Sequence, residues 1–170
     1  MQPNELRALQ APLKERYRAD PDRALVTLHA DGQLDELGIS CRVETGQALV
    51  EAGLHPATGG TGLQACSGDL LLQALVACAG VTLRAVATAL DIPVTAGRIR
   101  AEGDLDFRGT LGVSKEARVG FSAIRLSFEL DTPASADQLE TLLKLTERYC
   151  VVLQTLRGAP EVGVELRAEN

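Results

Sequence analysis

SGDLLLQALVACAGVTLRAVATAL, residues 67–90, is the stretch on which the fold of this chain turns. From Leu70 to Leu83 it carries no charge, and Gln73 and Thr82 are its only clearly polar side chains. Ser67 suits an N-cap and Asp69 suits the positive end of a helix dipole. Pro93 stops the run, because the residue before a proline avoids the helical region. The stretch therefore predicts a helix about 35 Å long at roughly 1.5 Å per residue. Its uncharged part, about 14 residues, is short for a bilayer span and suits a core helix. A helix apolar on nearly all sides must be wrapped on nearly all sides. A small domain rarely achieves this alone, so a second copy of the chain is expected to cover the rest, as a homodimer.

Outside this stretch the chain reads as an ordinary folded protein. Its 170 residues and 18.0 kDa fit one domain with a real core. A formal charge of −6 and a pI near 5.0 argue against a general binder of nucleic acid or anionic membrane. The first residues are polar and charged, without the apolar run that secretion requires, and the expected location is cytoplasmic. Four cysteines, Cys41, Cys66, Cys78 and Cys150, occur with no CxxC spacing. In a reducing compartment this excludes a disulfide scaffold and leaves no zinc-site pattern. Each thiol is then a small buried hydrophobe or a redox group.

Upstream, residues 4–17 predict an amphipathic helix broken at Pro12. Residues 24–30 predict a strand, DGQ (31–33) a turn, residues 37–44 an alternating strand with Cys41 on its apolar side, and ALVEAGL a third strand. HPATGGTGLQAC is a glycine-rich loop, but it has no GxxxxGK[ST] pattern and no nearby lysine, so it is not read as a phosphate cradle. Downstream, residues 98–107 and 120–130 predict strands joined by a loop, with Ile124 out of phase with Phe121 and Ala123. DTPASADQLE opens a helix capped by Ser135 or Asp137. Leu139, Leu142, Leu143, Thr146, Tyr149, Cys150 and Leu153 keep a three-four spacing and place Cys150 on its buried stripe. Gly158 and Pro160 end that helix, and VGVELRA predicts a last strand. The fold class is α+β, with antiparallel sheet around helices and two parts: an N-terminal helical extension (1–23) and one domain (24–170).

Several side chains admit two readings. Cys78 shares its helical face with Leu71, Ala74, Leu75, Val81, Thr82 and Ala85, which suits core filler as well as a working thiol. Cys66, beside the helix start, reads as a loop cysteine. His29 reads as a strand-end residue and His55 as a loop residue, and nothing fixes either near Cys78 for a cysteine–histidine dyad. Glu102, Asp104 and Asp106 alternate along one strand face, the pattern of a solvated sheet surface. No metal and no cofactor are expected.

The central helix with its cysteine, followed by RYCVVLQTL around Cys150, resembles the OsmC/Ohr family over roughly residues 24–165. The resemblance implies an intertwined homodimer with sheets wrapped around two central helices. It also implies a chemistry in which Cys78 attacks a peroxide and becomes a sulfenic acid, Cys150 resolves it as a disulfide, and a dithiol reductant restores both thiols. The best-known peroxidases of the family carry a strand arginine and a glutamate ten residues before the reactive cysteine; here that position is Gly68, and Asp69 is one step on. Val151 stands where many members have proline and Leu153 where they have Ser or Thr, while Gln154 is retained. A reactive thiol needs a lowered pKa. Cys78 lies about three turns inside its helix, beyond the reach of the dipole at that helix's own start. Arg84 faces elsewhere, and Arg42, Arg125 and Arg148 are the candidate cations. Two functions stand: a thiol-dependent peroxidase of apolar organic hydroperoxides using Cys78 and Cys150, or a non-peroxidase relative binding a small apolar or thiol ligand in a dimer-interface pocket.

Overall fold

The computed structural model describes residues 2–5, 8, 10, 11, 15, 19, 31–34, 40–44, 49–112 and 114–168. In chain order they form strands β1 (Asp31–Leu34), β2 (Ser40–Glu44) and β3 (Leu49–Gly53), a short 3-10 turn (Pro56–Thr58), and strand β4 (Ala65–Cys66). Helix α1 (Ser67–Ala89), strand β5 (Ala96–Leu105), the single-turn helix α2 (Phe107–Thr110), strand β6 (Phe121–Asp131) and helices α3 (Ala136–Tyr149) and α4 (Val151–Gly158) follow. The described residues among 3–19 are helical, as expected. Pro12, the predicted strand 24–30 and His29 lie outside the described residues.

Helix α1 is the axis. Leu75, Ala79, Leu83 and Ala87 repeat every fourth residue and form its buried stripe. Strand β5 and helices α3 and α4 pack against it. A helix of this length and apolarity could cross a bilayer by composition alone; here it is the spine of an α+β fold. Its N-cap is Cys66, not the expected Ser67. The chain passes straight from the β4 ladder into the helix, so the extended backbone of Cys66 already has N-cap geometry and Ser67 becomes the first helical residue. At the other end Asp91 turns through φ 57°, and Ile92, donating to the Ala87 carbonyl at 2.9 Å, folds back among Leu83, Ala87 and Leu142.

Strands β1 to β4 form one sheet in that order, antiparallel except that β4 joins β3 in parallel. Residues 31–34, expected to turn at DGQ, instead pair with Cys41–Glu44 of β2. The ladder hydrogen bonds of the sheet override the turn preference of Asp and Gly. The backbone of Cys41 stands opposite Leu34 and Ala52.

Strands β5 and β6 form a second, antiparallel sheet. Its register shifts at Asp104/Leu105, where Leu105 faces Phe121 and Asp104 faces Ala123. The bulge explains the broken alternation in the sequence: it returns the Phe121 ring to the face that carries Ile124, Leu126, Phe128 and Leu130. Gly103 lies beneath that ring, and a Cβ there would stand 2.4 Å from it.

The C-terminal region departs twice from expectation. The predicted single helix is two helices, α3 and α4, broken at Cys150, whose backbone is extended (φ −72°, ψ 104°). The three-four spacing of apolar residues runs through the break, so periodicity alone does not register it. Tyr149 and Leu143, expected on the buried stripe, are exposed. The predicted last strand is also absent: residues 161–168 have no regular structure, and Val162, Val164 and Leu166 lie open to solvent. An alternating segment becomes a strand only beside a sheet edge, and none of the described strands pairs with it.

Candidate functional site

Cys78 and Cys150 lie 72 positions apart in sequence, and the fold places them together. Cys150 is fully buried in a cluster with Leu75 and Ala79 of α1. Cys78, Val152, Leu153 and Leu156 pack against the same cluster, as do Ile99, Ile124 and Leu126 from the sheet. Both thiols are unpaired, and that of Cys150 lies within hydrogen-bonding reach of Cys78. Cys66 is also free, at the start of α1 and about three turns from Cys78.

The two thiols differ in their hold on the proton. Burial pushes Cys78 up, but the amide of Val152, the thiol of Cys150, the hydroxyl of Thr82 and the amide of Val151 together outweigh it. The Cys78 pKa therefore lies below the ordinary thiol value. For Cys150 burial dominates, and the proton it shares with Cys78 and the charge on Cys78 raise it further. The amides of Leu153 and Val152 do not compensate, and Cys150 keeps its proton more firmly than a free thiol. One thiol thus holds its proton less firmly than a free thiol and its neighbour more firmly.

The α3–α4 junction creates this arrangement. Ser135 starts α3 with a capping box: its hydroxyl accepts from the Gln138 amide, and the Gln138 side chain accepts from the Ser135 amide at 2.9 Å. At the far end the Cys150 amide makes the last bond of α3, to Thr146 at 3.0 Å. The first amide to bond within α4 is that of Gln154, to the Cys150 carbonyl at 2.9 Å. Gln154 also sends its side-chain amide back to the Glu147 carbonyl at 2.7 Å, and Arg157 pairs with the Glu147 carboxylate at 2.9 Å.

The candidate cations lie elsewhere. Arg125 is held by Asp104 on the solvent face of the β5–β6 sheet, opposite the face of Ile124 and Leu126. Its hydrogen bonds lower the Asp104 pKa. Arg148 extends over the Tyr149 ring at 5.5 Å on the protein surface. Neither acts on Cys78. The side chain of Arg42 lies outside the described residues. The acidic alternation of β5 is a charged surface, with Glu102 paired to Arg100 at 2.9 Å and Asp104 to Arg125. Asp106, just past the strand, caps α2 and binds Arg108. His55 accepts from the Ala57 amide and stacks on Phe107 at 4.8 Å, occupied in its own loop.

Beside the thiol cluster lies a cavity of about 690 Å³ between β6 and helices α1, α3 and α4. Leu75, Leu153 and Leu156 belong both to its wall and to the thiol cluster, while Arg118, Glu147 and Arg157 give it a charged border.

The family model described as OsmC-like protein matches residues 60–165, which include α1, both thiols and the α3–α4 junction. The chain belongs to the OsmC family. Solved structures agree on the OsmC fold. An OsmC-like protein from Mycoplasma pneumoniae is 19% identical with a TM-score of 0.65, over 78% of this chain and 89% of that one. A Legionella pneumophila protein described as an organic hydroperoxide resistance protein OsmC is 20% identical with a TM-score of 0.61, over 79% and 91%. An organic hydroperoxide resistance protein from Elizabethkingia anophelis is 17% identical with a TM-score of 0.63, over 79% and 90%. No curated protein sequence matches the chain. The sequence points to both of the cysteines that the fold brings together, but not to Thr82 or to the amides of α4. The spacing Cys78 to Thr82, one helical turn, was the available signal for the first. The amides carry no sequence signal.

Proposed function

We propose that this OsmC protein is a thiol-dependent peroxidase of organic hydroperoxides, with Cys78 as attacking thiol and Cys150 as resolving thiol. The observation that carries the reading is the meeting of a thiol with lowered pKa and a buried thiol with raised pKa. The Cys78 thiolate attacks the terminal oxygen of ROOH. The O–O bond breaks, the alcohol leaves with a proton, and Cys78 becomes a sulfenic acid. The Cys150 sulfur then attacks the Cys78 sulfur, water leaves with the proton of Cys150, and a disulfide remains. A dithiol reductant exchanges with it, leaving two protein thiols and an oxidised dithiol. The cavity beside Leu75 and Leu153 supports an apolar R group.

A second copy of the chain covers the exposed apolar faces in this reading. Only 22% of the most apolar stretch of α1 is buried within the chain, Val81 is exposed, and Val162, Val164 and Leu166 lack a partner. The resulting homodimer works where its thiols stay reduced, as in a cytoplasm.

The test is the intact mass of the reduced protein before and after one equivalent of cumene hydroperoxide. A fast loss of about 2 Da, the two hydrogens of a dithiol, is expected in the wild type and in neither Cys78→Ser nor Cys150→Ser. An unchanged mass would leave the cavity as a binding site for a small apolar ligand, with the thiols as its lining.

A further inference from the structure

Helix α1 cannot activate its own cysteine, because Cys78 lies in its interior, and the cations Arg125 and Arg148 are engaged elsewhere. The break at Cys150 supplies another source. In an unbroken helix the Val151 amide would bond the Glu147 carbonyl and the Val152 amide the Arg148 carbonyl. The extended backbone of Cys150 ends α3, so the amides of Val151, Val152 and Leu153 become the unpaired first turn of α4. The Glu147 carbonyl is satisfied instead by the Gln154 side chain. The Cys150 side chain makes no cap hydrogen bond to the released amides, although its thiol lies near those of Leu153 and Val152. Val152 and Cys78 pack on the same buried cluster, so the start of α4 brings the amides of Val151 and Val152 within reach of the Cys78 sulfur, with that of Val152 also near Cys150. The Thr82 hydroxyl, one turn along α1, and the Cys150 thiol complete four donors around one sulfur.

We propose that the start of α4, through the backbone amides of Val151 and Val152, stabilises the Cys78 thiolate, and that a residue with a free amide at position 151 is part of the device. The helix dipole and the two N–H groups act in the same sense. Val151 and Val152 are positioning residues: their amides hold the thiolate and take no part in bond making. The catalytic meaning of the inference rests on the peroxidase reading, whereas the thiolate itself does not.

The experiment uses the full-length reduced protein and no peroxide. Site-resolved rates of alkylation by iodoacetamide are measured against pH by peptide mass spectrometry for wild type, Val151→Pro and Val151→Ala. Proline is favoured at the first helical position and requires an extended residue before it, which Cys150 already is. The proline variant therefore keeps the helix and loses one amide. Its Cys78 midpoint is expected to move upward, with alkylation at neutral pH slowed several-fold, while Val151→Ala retains the wild-type midpoint. An unmoved midpoint in Val151→Pro, or an equal shift in Val151→Ala, would overturn the inference. Amide NMR of the wild type decides independently of how the proline variant folds. The Val151 and Val152 resonances are expected to titrate with the Cys78 midpoint and to stop doing so in Cys78→Ala; amides that ignore that titration would also overturn it. A protein inert to hydroperoxide but with a low Cys78 midpoint removes the peroxidase reading alone, and a reactive protein whose midpoint ignores position 151 removes this inference alone.

Discussion

The side-chain amide of Gln154 donates to the carbonyl of Glu147 at 2.7 Å and spans the residue between them that matters, Cys150. The carbonyl it satisfies is one that the break in the helix orphans. Gln154→Ala leaves that carbonyl without its partner and loosens the junction. If Cys150 resolves Cys78 as proposed, the expected outcome is a folded protein that forms the Cys78–Cys150 disulfide several-fold more slowly after peroxide, because Cys150 is no longer held against Cys78. Rapid-quench mass spectrometry reads this directly, as a sulfenic acid that persists at Cys78.

In the proposed peroxidase reading, proton affinity sets the order of the chemistry. The folded pKa of Cys78 is lowered, so its thiolate fraction rises with pH at values where a free thiol is still protonated. Its contribution to stability is present above the unfolded thiol pKa and is lost as pH falls through the folded one. Cys150 has the opposite sign: its contribution is present below the unfolded pKa and is lost as pH rises through the folded value. On raising the pH, alkylation is expected at Cys78 before Cys150. Reversed order in a peptide map would assign the roles the other way.

Arg125 provides the contrasting case. Its guanidinium belongs to Asp104 on the solvent face, with both side chains about half exposed. An exposed pair of this kind adds little to stability. Arg125→Ala is expected to leave both the melting temperature and the Cys78 midpoint unchanged, and a raised midpoint would show that its field reaches the thiol.

The two cysteines and the long apolar helix are legible in the sequence because their signals are local: an uncharged run closed by a proline, and a cysteine in each of two characteristic settings. The break at Cys150 is not legible. Leu142, Thr146, Cys150 and Leu153 continue the helical spacing across it, and Val151 and Val152 are tolerated inside a helix. The donors to Cys78 come from a helix start far away in sequence, and a backbone amide has no residue type to betray it. The arginines drew attention for the opposite reason, since charge is visible in a sequence and its engagement by Asp104 is not. The missing last strand has the same cause as the missing cover on Val81: a pattern announces which face seeks a partner, not where the partner lies.

Leu75 and Leu142 separate packing from chemistry. Both are essentially fully buried on their helices, but Leu75 packs with Cys150 and Leu142 with Leu83, Ala87 and Ile92. Truncation of either to alanine is expected to destabilise the fold by about 2–5 kcal/mol. Only Leu75→Ala opens space beside the thiols, so it alone is expected to slow disulfide formation after peroxide. Chemical denaturation and the peroxide mass shift, measured on both variants, give the two readouts.

Thr146 marks a place where the core is not optimal. It is 1% exposed, and its hydroxyl has no hydrogen-bond partner, while its carbonyl receives the Cys150 amide. A buried hydroxyl without a partner costs roughly 1–3 kcal/mol in lost hydration. Valine has nearly the same shape and removes that penalty without touching the carbonyl. Thr146→Val is therefore expected to raise stability by about 1 kcal/mol, with the Cys78 alkylation midpoint unchanged. A lower denaturation midpoint would mean that the hydroxyl has a partner in solution. A shifted Cys78 midpoint would mean that this partner is the thiol pair, one helical turn away.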